Sequence, residues 1–225
     1  MSEQSLKRPQ NTFKVNRPTF LLDVDNTIFD HEAAKRSIDE RLVSNYGQGA
    51  NVDLDKIYQE VKDELGYIDW KQIAIRFAKR RNSEDYASVL AVFLEIPFNE
   101  YLRPGAQEFI EFLKKNGSLI IFSDGDQLFQ KTKIEKLGLS SLADEVVISK
   151  SKIDLFEELQ KKYKGEIFVI DDKPVVIAKA KEVLADCITI WVKFGRHTAS
   201  LATTRADFES DDLFKIEKFI EGQLK

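Results

Sequence analysis

Four short stretches of the chain place acidic, hydroxyl or ammonium side chains directly after apolar runs. Asp23-Val24-Asp25-Asn26-Thr27 closes the run that begins Thr19-Phe20-Leu21-Leu22, and Ser123-Asp124 follows Leu119-Ile120-Ile121-Phe122. Lys150 and Lys152 come shortly after Val146-Val147-Ile148, and Asp171-Asp172 ends Ile167-Phe168-Val169-Ile170. One acid at the end of a strand means little, because turns favour such residues. Four chemically complementary ends on one edge point to a site. Carboxylates gathered there repel one another unless a cation neutralises them. With two histidines and one cysteine in the chain, a zinc centre of the usual nitrogen and sulfur type is nearly excluded. The expected ion is hard and oxygen-liganded, which points to magnesium shared between carboxylates, water and phosphate.

The elements that must position these residues are legible in the apolar spacing. Residues 1–17 are polar and patternless and are expected to form a mobile arm. Thr19 to Val24 reads as a buried strand. From 31 to 95 the pattern is helical throughout. Ala34, Ile38, Leu42 and Tyr46 share one face, Leu54, Ile57, Val61 and Leu65 a second, Trp70, Ile73 and Phe77 a third, and Tyr86, Val89 and Phe93 a fourth. After Arg103-Pro104-Gly105 helices alternate with four more strands, at 119–122, 146–148, 167–170 and 188–192, before a last amphipathic helix carrying Leu213, Ile216 and Ile220. Such alternation predicts an α/β fold, a doubly wound parallel sheet covered on both faces. A crossover between parallel strands takes about 30 residues, whereas about a hundred separate the first two strands. The surplus predicts a small helical domain, 31–95, inserted into a core formed by 18–30 and 96–225. Ligands of open parallel sheets bind at the carboxyl ends of the strands, so the insertion should overhang the site as a lid.

Composition narrows the partners. The 225 residues carry a net charge of −4, with 43% hydrophobic and 32% charged side chains. This argues against a nucleic-acid partner bound through a strongly basic surface. No apolar run reaches the roughly 20 residues of a membrane helix, and the first residues lack the hydrophobic stretch of a signal peptide. A lone cysteine, Cys187, forms no intrachain disulfide, so a reducing, cytoplasmic setting is expected. Oligomeric state is not readable.

Asp23-x-Asp25-x-Thr27 after an apolar strand resembles the first motif of the haloacid dehalogenase superfamily. Ser123 fits the second motif, a lysine before a helix the third, and Asp171-Asp172 the fourth, all in family order over about residues 18–195. The inserted helices match the family's helical cap. The resemblance implies a Rossmann-like core and a magnesium-dependent phosphohydrolase of small phosphorylated metabolites. Asp23 would be the nucleophile that forms an aspartyl phosphate, and Asp25 the general acid and then base. Family members without that second aspartate tend toward dehalogenation or ion pumping. Ser123, Lys152 and Asn26 would hold the phosphoryl group, and Asp23, Asp25 (through its carbonyl), Asp171 and Asp172 would hold the metal. Lys150 and Lys152 flank Ser151; the spacing of Leu155, Leu159 and Tyr163 favours Lys152, with Lys150 the alternative.

The remaining conspicuous residues have plainer readings. His31 reads as a solvated flap residue, Thr27 as loop support, and Arg103 as a surface or hinge residue. Arg76, Lys79, Arg80 and Arg81 read as a solvated helix face, and Phe194-Gly195-Arg196-His197 as a structural tail. Gly47-Gln48-Gly49 lacks the strand and third glycine of a dinucleotide loop and reads as a turn. Three rival functions remain. A phosphomutase would share the site, and a catalytically silent phosphate-binding relative would share the fold. A signalling receiver domain would have its acidic pair first rather than last.

Overall fold

The computed structural model describes residues 17–184, 186–197 and 205–224. The expected N-terminal arm, apart from Arg17, lies outside them. Among the described residues the sheet has six parallel strands: β1 (Thr19–Leu22), β2 (Ser118–Asp124), β3 (Glu145–Ser149), β4 (Ile167–Asp171), β5 (Ile188–Val192) and β6 (Phe208–Ser210), in the spatial order β3-β2-β1-β4-β5-β6. β1 is central, with Leu22 level with Ile121 of β2 and Ile170 of β4.

Both faces of the sheet are buried, which is why its strands read as unbroken apolar runs. Side chains alternate between faces at period two. Phe20, Leu22, Ile121, Phe168 and Ile170 point into one cluster, shared with helices α5 (Ala106–Asn116) and α10 (Leu213–Gln223). Leu21, Ile120, Phe122 and Val169 point into the other, with α8 (Phe156–Lys162) and α9 (Pro174–Val183). Each fully buried Phe or Leu contributes roughly 1.5–3 kcal/mol, so a register slip of one residue is strongly disfavoured. Two further helices follow β2: α6 (Gln127–Lys136) and the single turn α7 (Leu139–Leu142).

The five strands expected from the pattern are present, and β6 is a sixth. Its three residues carry a single apolar side chain, Phe208, too little for periodicity to register; it ends the sheet as a short edge.

Between β1 and α5 stand four α-helices: α1 (His31–Tyr46), α2 (Ala50–Leu65), α3 (Trp70–Arg80) and α4 (Tyr86–Leu94). Asp30, Asp69 and Asp85 cap α1, α3 and α4 by accepting from the backbone N–H three residues on. Gly66, at φ 75°, ends α2 in the left-handed conformation a side chain disfavours. The three arginines of the basic run at 76–81 are paired within this group of helices, while Lys79 is exposed. Arg76 pairs with Glu64 at 2.7 Å, Arg80 with Glu60 at 2.9 Å and Arg81 with Asp53 at 2.9 Å. Trp70 ties the helices to the sheet. Its ring lies between Phe93 (4.7 Å) and Phe129 of α6 (5.3 Å), and its backbone N–H donates to Asp126 at 3.3 Å.

Candidate active site

From β1 the chain builds outward through β2 and β3 on one side, and through β4, β5 and β6 on the other. The strand order therefore reverses between β1 and β4, and a crevice opens there at the carboxyl ends of the strands. Asp23 follows β1 directly, its N–H continuing the ladder to the Ile170 carbonyl at 3.0 Å, and Asp171 is the last residue of β4. Neighbouring strands thus deliver acids from opposite ends of the sequence to one point. Oxygens of Asp23, Asp171 and Asp172, all buried, lie within 4.8 Å of one another.

Lys152 sits among them, fully buried. It donates to Asp23 and, at 2.7 Å, to Asp171. Lys150 turns away, its ammonium 3.5 Å from the centroid of the Tyr67 ring. Of the two candidate lysines, Lys152 is the one brought to the carboxylates. Thr27 does more than support its loop, because its hydroxyl donates to Asp23 at 2.9 Å and fixes the carboxylate's rotation.

Burial pushes the Asp23 carboxyl up to about 6, with Lys152 opposing and Asp171 adding to the rise. Burial together with the charges of Asp23 and Asp171 pushes Asp172 up to about 9. One lysine does not balance three acids. Four buried polar atoms here, Asn26 Oδ1, Ser123 Oγ, Gln130 Oε1 and Asp172 Oδ1, have no hydrogen-bond partner among the described residues. Such orphans are rare in folded proteins, and their concentration here marks a place built for ligands. The carboxylates fit a hard divalent cation.

A pH dependence follows from the sign of the shift. A carboxyl that holds its proton more tightly when folded stabilises the fold less as pH rises from its unfolded value, 3.8, through its folded value. Asp23 completes that loss near 6, while Asp172 continues it to about 9. Without divalent cations the melting temperature is expected to fall between pH 6 and 9, and saturating magnesium should flatten the fall. Calorimetry with and without chelator checks this; parallel curves would show that no cation enters the cluster.

Asp25 lies on the other side of the loop, facing a cleft of about 570 Å³ between the sheet edge and α1–α3. Tyr58, Tyr67, Trp70, Lys62, Lys150 and Arg196 also line that cleft. Burial would raise the Asp25 carboxyl, but Lys133 and His31 outweigh it and hold the group well below its usual range. His31, the first residue of α1, approaches Asp25 at 3.2 Å and lines the cleft, so it belongs to the site rather than to a solvated flap.

The family model for haloacid dehalogenase-like hydrolases matches residues 18–183. The chain belongs to the haloacid dehalogenase-like hydrolase family. It is therefore an enzyme, a hydrolase with the family's Rossmann-like core. A haloacid dehalogenase-like hydrolase from Burkholderia xenovorans has a similar structure, with a TM-score of 0.82 at 22% identity, over 93% of this chain and 99% of that one. The HAD-hydrolase YfnB from Bacillus subtilis, bound to magnesium, gives 0.63 at 18% identity, covering 92% and 99%. The L-2-haloacid dehalogenase of Xanthobacter autotrophicus gives 0.58 at 15%, also covering 92% and 99%. No curated protein matches the chain. No helix among the described residues of this hydrolase is long and apolar enough to cross a membrane.

Several residues of this hydrolase take on roles that their local sequence does not announce. Arg103 is not on the surface. Its guanidinium donates to the Thr27 carbonyl at 2.6 Å and to the Asp211 carbonyl, and stacks 4.0 Å from the Phe194 ring centroid. It locks the loop bearing Asp23 and Asp25 to the far end of the chain. The tail beyond β5 presses on the same loop. Gly195, at φ 71°, lies so close to Asn26 that an added Cβ would stand 2.5 Å from Asn26 Cγ. Asn26 is itself in the left-handed region, at φ 57°. Ser123 is buried near the end of β2, its hydroxyl without a hydrogen-bond partner among the described residues. Neighbouring Asp124 accepts instead from Lys173.

Gln130 and Lys133 of α6 were not singled out by sequence reasoning, yet both reach Asp25. Their signal is faint: two polar residues three apart on the stretch that also carries the buried Phe129 and Ile134.

Proposed function

We propose that the protein is a magnesium-dependent phosphohydrolase of small phosphate monoesters, acting through an aspartyl phosphate on Asp23. The observation that carries this reading is the pairing of a lysine-clamped carboxylate, Asp23, with a second acid two residues on, Asp25, at the cleft wall. A halide leaves without a proton, whereas an alkoxide needs one. A second acid beside the nucleophile therefore favours an oxygen leaving group over the carbon–halogen bond of the dehalogenase neighbours. The three-carboxylate cluster adds to this, because a phosphate dianion approaching an anionic nucleophile requires cationic charge. The Bacillus subtilis neighbour is bound to magnesium, which agrees with such a site.

The steps are these. A carboxylate oxygen of Asp23 attacks phosphorus, the bond from phosphorus to the ester oxygen breaks, and that oxygen takes a proton from Asp25. Water then attacks the aspartyl phosphate and gives its proton to Asp25. The bond from phosphorus to Asp23 breaks, and phosphate leaves. Asp25 rests as a carboxylate beside Lys133 and His31, the form that accepts a proton; acting as the acid requires it to take up a proton first, which an arriving phosphate dianion favours. Lys152 and Ser123 offset charge on the phosphoryl oxygens, and Asn26 borders the same space. Magnesium, held by Asp23, Asp171, Asp172 and the Asp25 carbonyl, would supply electrostatic shielding of the phosphate.

The cleft volume suits a phosphorylated metabolite rather than a macromolecule. The free, buried Cys187 accords with a cytoplasmic enzyme. Hydrolysis of p-nitrophenyl phosphate with magnesium, and its loss with chelator, is the expected result. Chloride release from 2-chloropropionate without phosphate release from any ester would overturn the reading. Phosphate retained on an isomerised substrate would favour the phosphomutase alternative.

A further inference from the structure

We infer that Lys133, with Gln130, is a positioning residue that fixes the Asp25 carboxylate for proton transfer to the leaving group. This rests on the phosphohydrolase reading. Lys133 is wholly buried, although it belongs to a helix whose other lysines, Lys131 and Lys136, are exposed. A lysine is rarely taken out of water without a charged partner. Here the partner is Asp25, bonded through Oδ1, while Gln130 donates to Asp25 Oδ2 at 2.8 Å and to the Asp124 carbonyl at 3.1 Å. The ammonium lies 5.2 Å from the centroid of Phe29 and 5.5 Å from that of Phe129, so two aromatic rings flank it and limit its reach to this one acid.

The two donors engage different oxygens of the same carboxylate, and that sets its rotation as well as its place. His31 adds a third contact, from α1, on the oxygen that Lys133 also holds. Proton transfer is steeply sensitive to such geometry, because donor and acceptor must meet within hydrogen-bond reach. Lys133 borders none of the cleft, whereas Asp25 and Gln130 do. Its effect on turnover must therefore pass through Asp25.

Methionine matches lysine in length and suits the apolar flanks, so Lys133→Met removes the charge with little change of volume. The test compares an alkyl phosphate with p-nitrophenyl phosphate, whose phenolate departs without help. Lys133→Met is expected to lower kcat/KM on the alkyl ester by about 30- to 100-fold, near the lower end of what general acid–base catalysis contributes. The aryl ester should lose little in kcat/KM, which ends at departure of the leaving group and so leaves out the water step that Asp25 also serves. In an Asp25→Asn background the same substitution should cost nothing more, the signature of two residues acting as a unit. Equal losses on both esters, or additive losses in the double variant, would overturn the proposal. Gln130→Met gives the same comparison if Lys133→Met does not fold. A crystal structure of either variant reads the positioning directly, whatever the reaction. A displaced or multiply oriented Asp25 side chain is expected, and an unmoved one overturns the proposal. A wild-type protein without phosphatase activity sinks the function proposed above and leaves that structural comparison to decide the role of Lys133.

Discussion

Asp23→Asn is expected to abolish phosphate release, lowering kcat by about 10⁴-fold or more, the scale seen when a covalent nucleophile is lost. An amide oxygen is a far weaker nucleophile than a carboxylate, and neither the lysine nor a cation can make up for it. The fold should not suffer. The amide oxygen still accepts from the Thr27 hydroxyl, which reaches Asp23 at 2.9 Å. The change also removes one ionisable acid from three carboxyl groups held within 4.8 Å of one another. Because burial and Asp171 already make the ionised form of Asp23 unfavourable, the melting temperature near pH 8 should hold or rise when no cation is present. Activity and stability would then move in opposite directions, as expected where a site is strained for its chemistry. Steady-state kinetics beside a thermal melt decides the matter. Turnover within tenfold of wild type, from a folded variant, removes Asp23 from the mechanism.

Lys152→Met is expected to have the largest effect on stability. Breaking a buried ion pair by removing one partner costs about 3–5 kcal/mol, because the remaining charge stays buried without compensation. Here the loss leaves Asp23, Asp171 and Asp172 together with no cationic side chain among the described residues in direct contact with Asp23. Two influences should reduce the cost. Lower pH lets Asp172, already held up to about 9, and Asp23, held up to about 6, keep their protons. Magnesium should replace part of the missing positive charge. Denaturant unfolding at pH 8 with chelator should therefore show the full loss, and the same titration at pH 6 or with magnesium a smaller one. An unfolding midpoint unchanged at pH 8 without metal would mean that Lys152 does not hold the cluster together. Turnover should fall as well, by about 10²- to 10³-fold, the usual cost of removing one donor to developing charge.

How much of this was legible beforehand depends on the range over which each cue acts. The doubly wound sheet could be read from local pattern, because burying both faces leaves uninterrupted apolar runs at strand spacing, and β1 to β5 each supply at least four such residues or a cluster of three. β6, with Phe208 alone, has no such pattern to offer. The acids and hydroxyls of the candidate site were also readable, because a parallel sheet places the end of every strand on one edge. That edge is where Asp23, Ser123 and Asp171 stand.

What only the tertiary structure decided is the set of contacts made by long, flexible side chains. Lys150 and Lys152 are two residues apart in a loop; the apolar spacing that follows favours Lys152, but only the fold brings its ammonium to Asp23 and that of Lys150 to Tyr67. Lys133 and Arg103 look like solvent residues because lysine and arginine usually are. Packing of α6 against the sheet edge turns Lys133 inward onto Asp25, and the return of the chain past Asp211 closes over Arg103. The amino-acid sequence by itself determined where the backbone would carry acid groups. Which cations would be drawn in to balance them was settled by folding, since charge pairing acts through space and takes no account of separation along the chain.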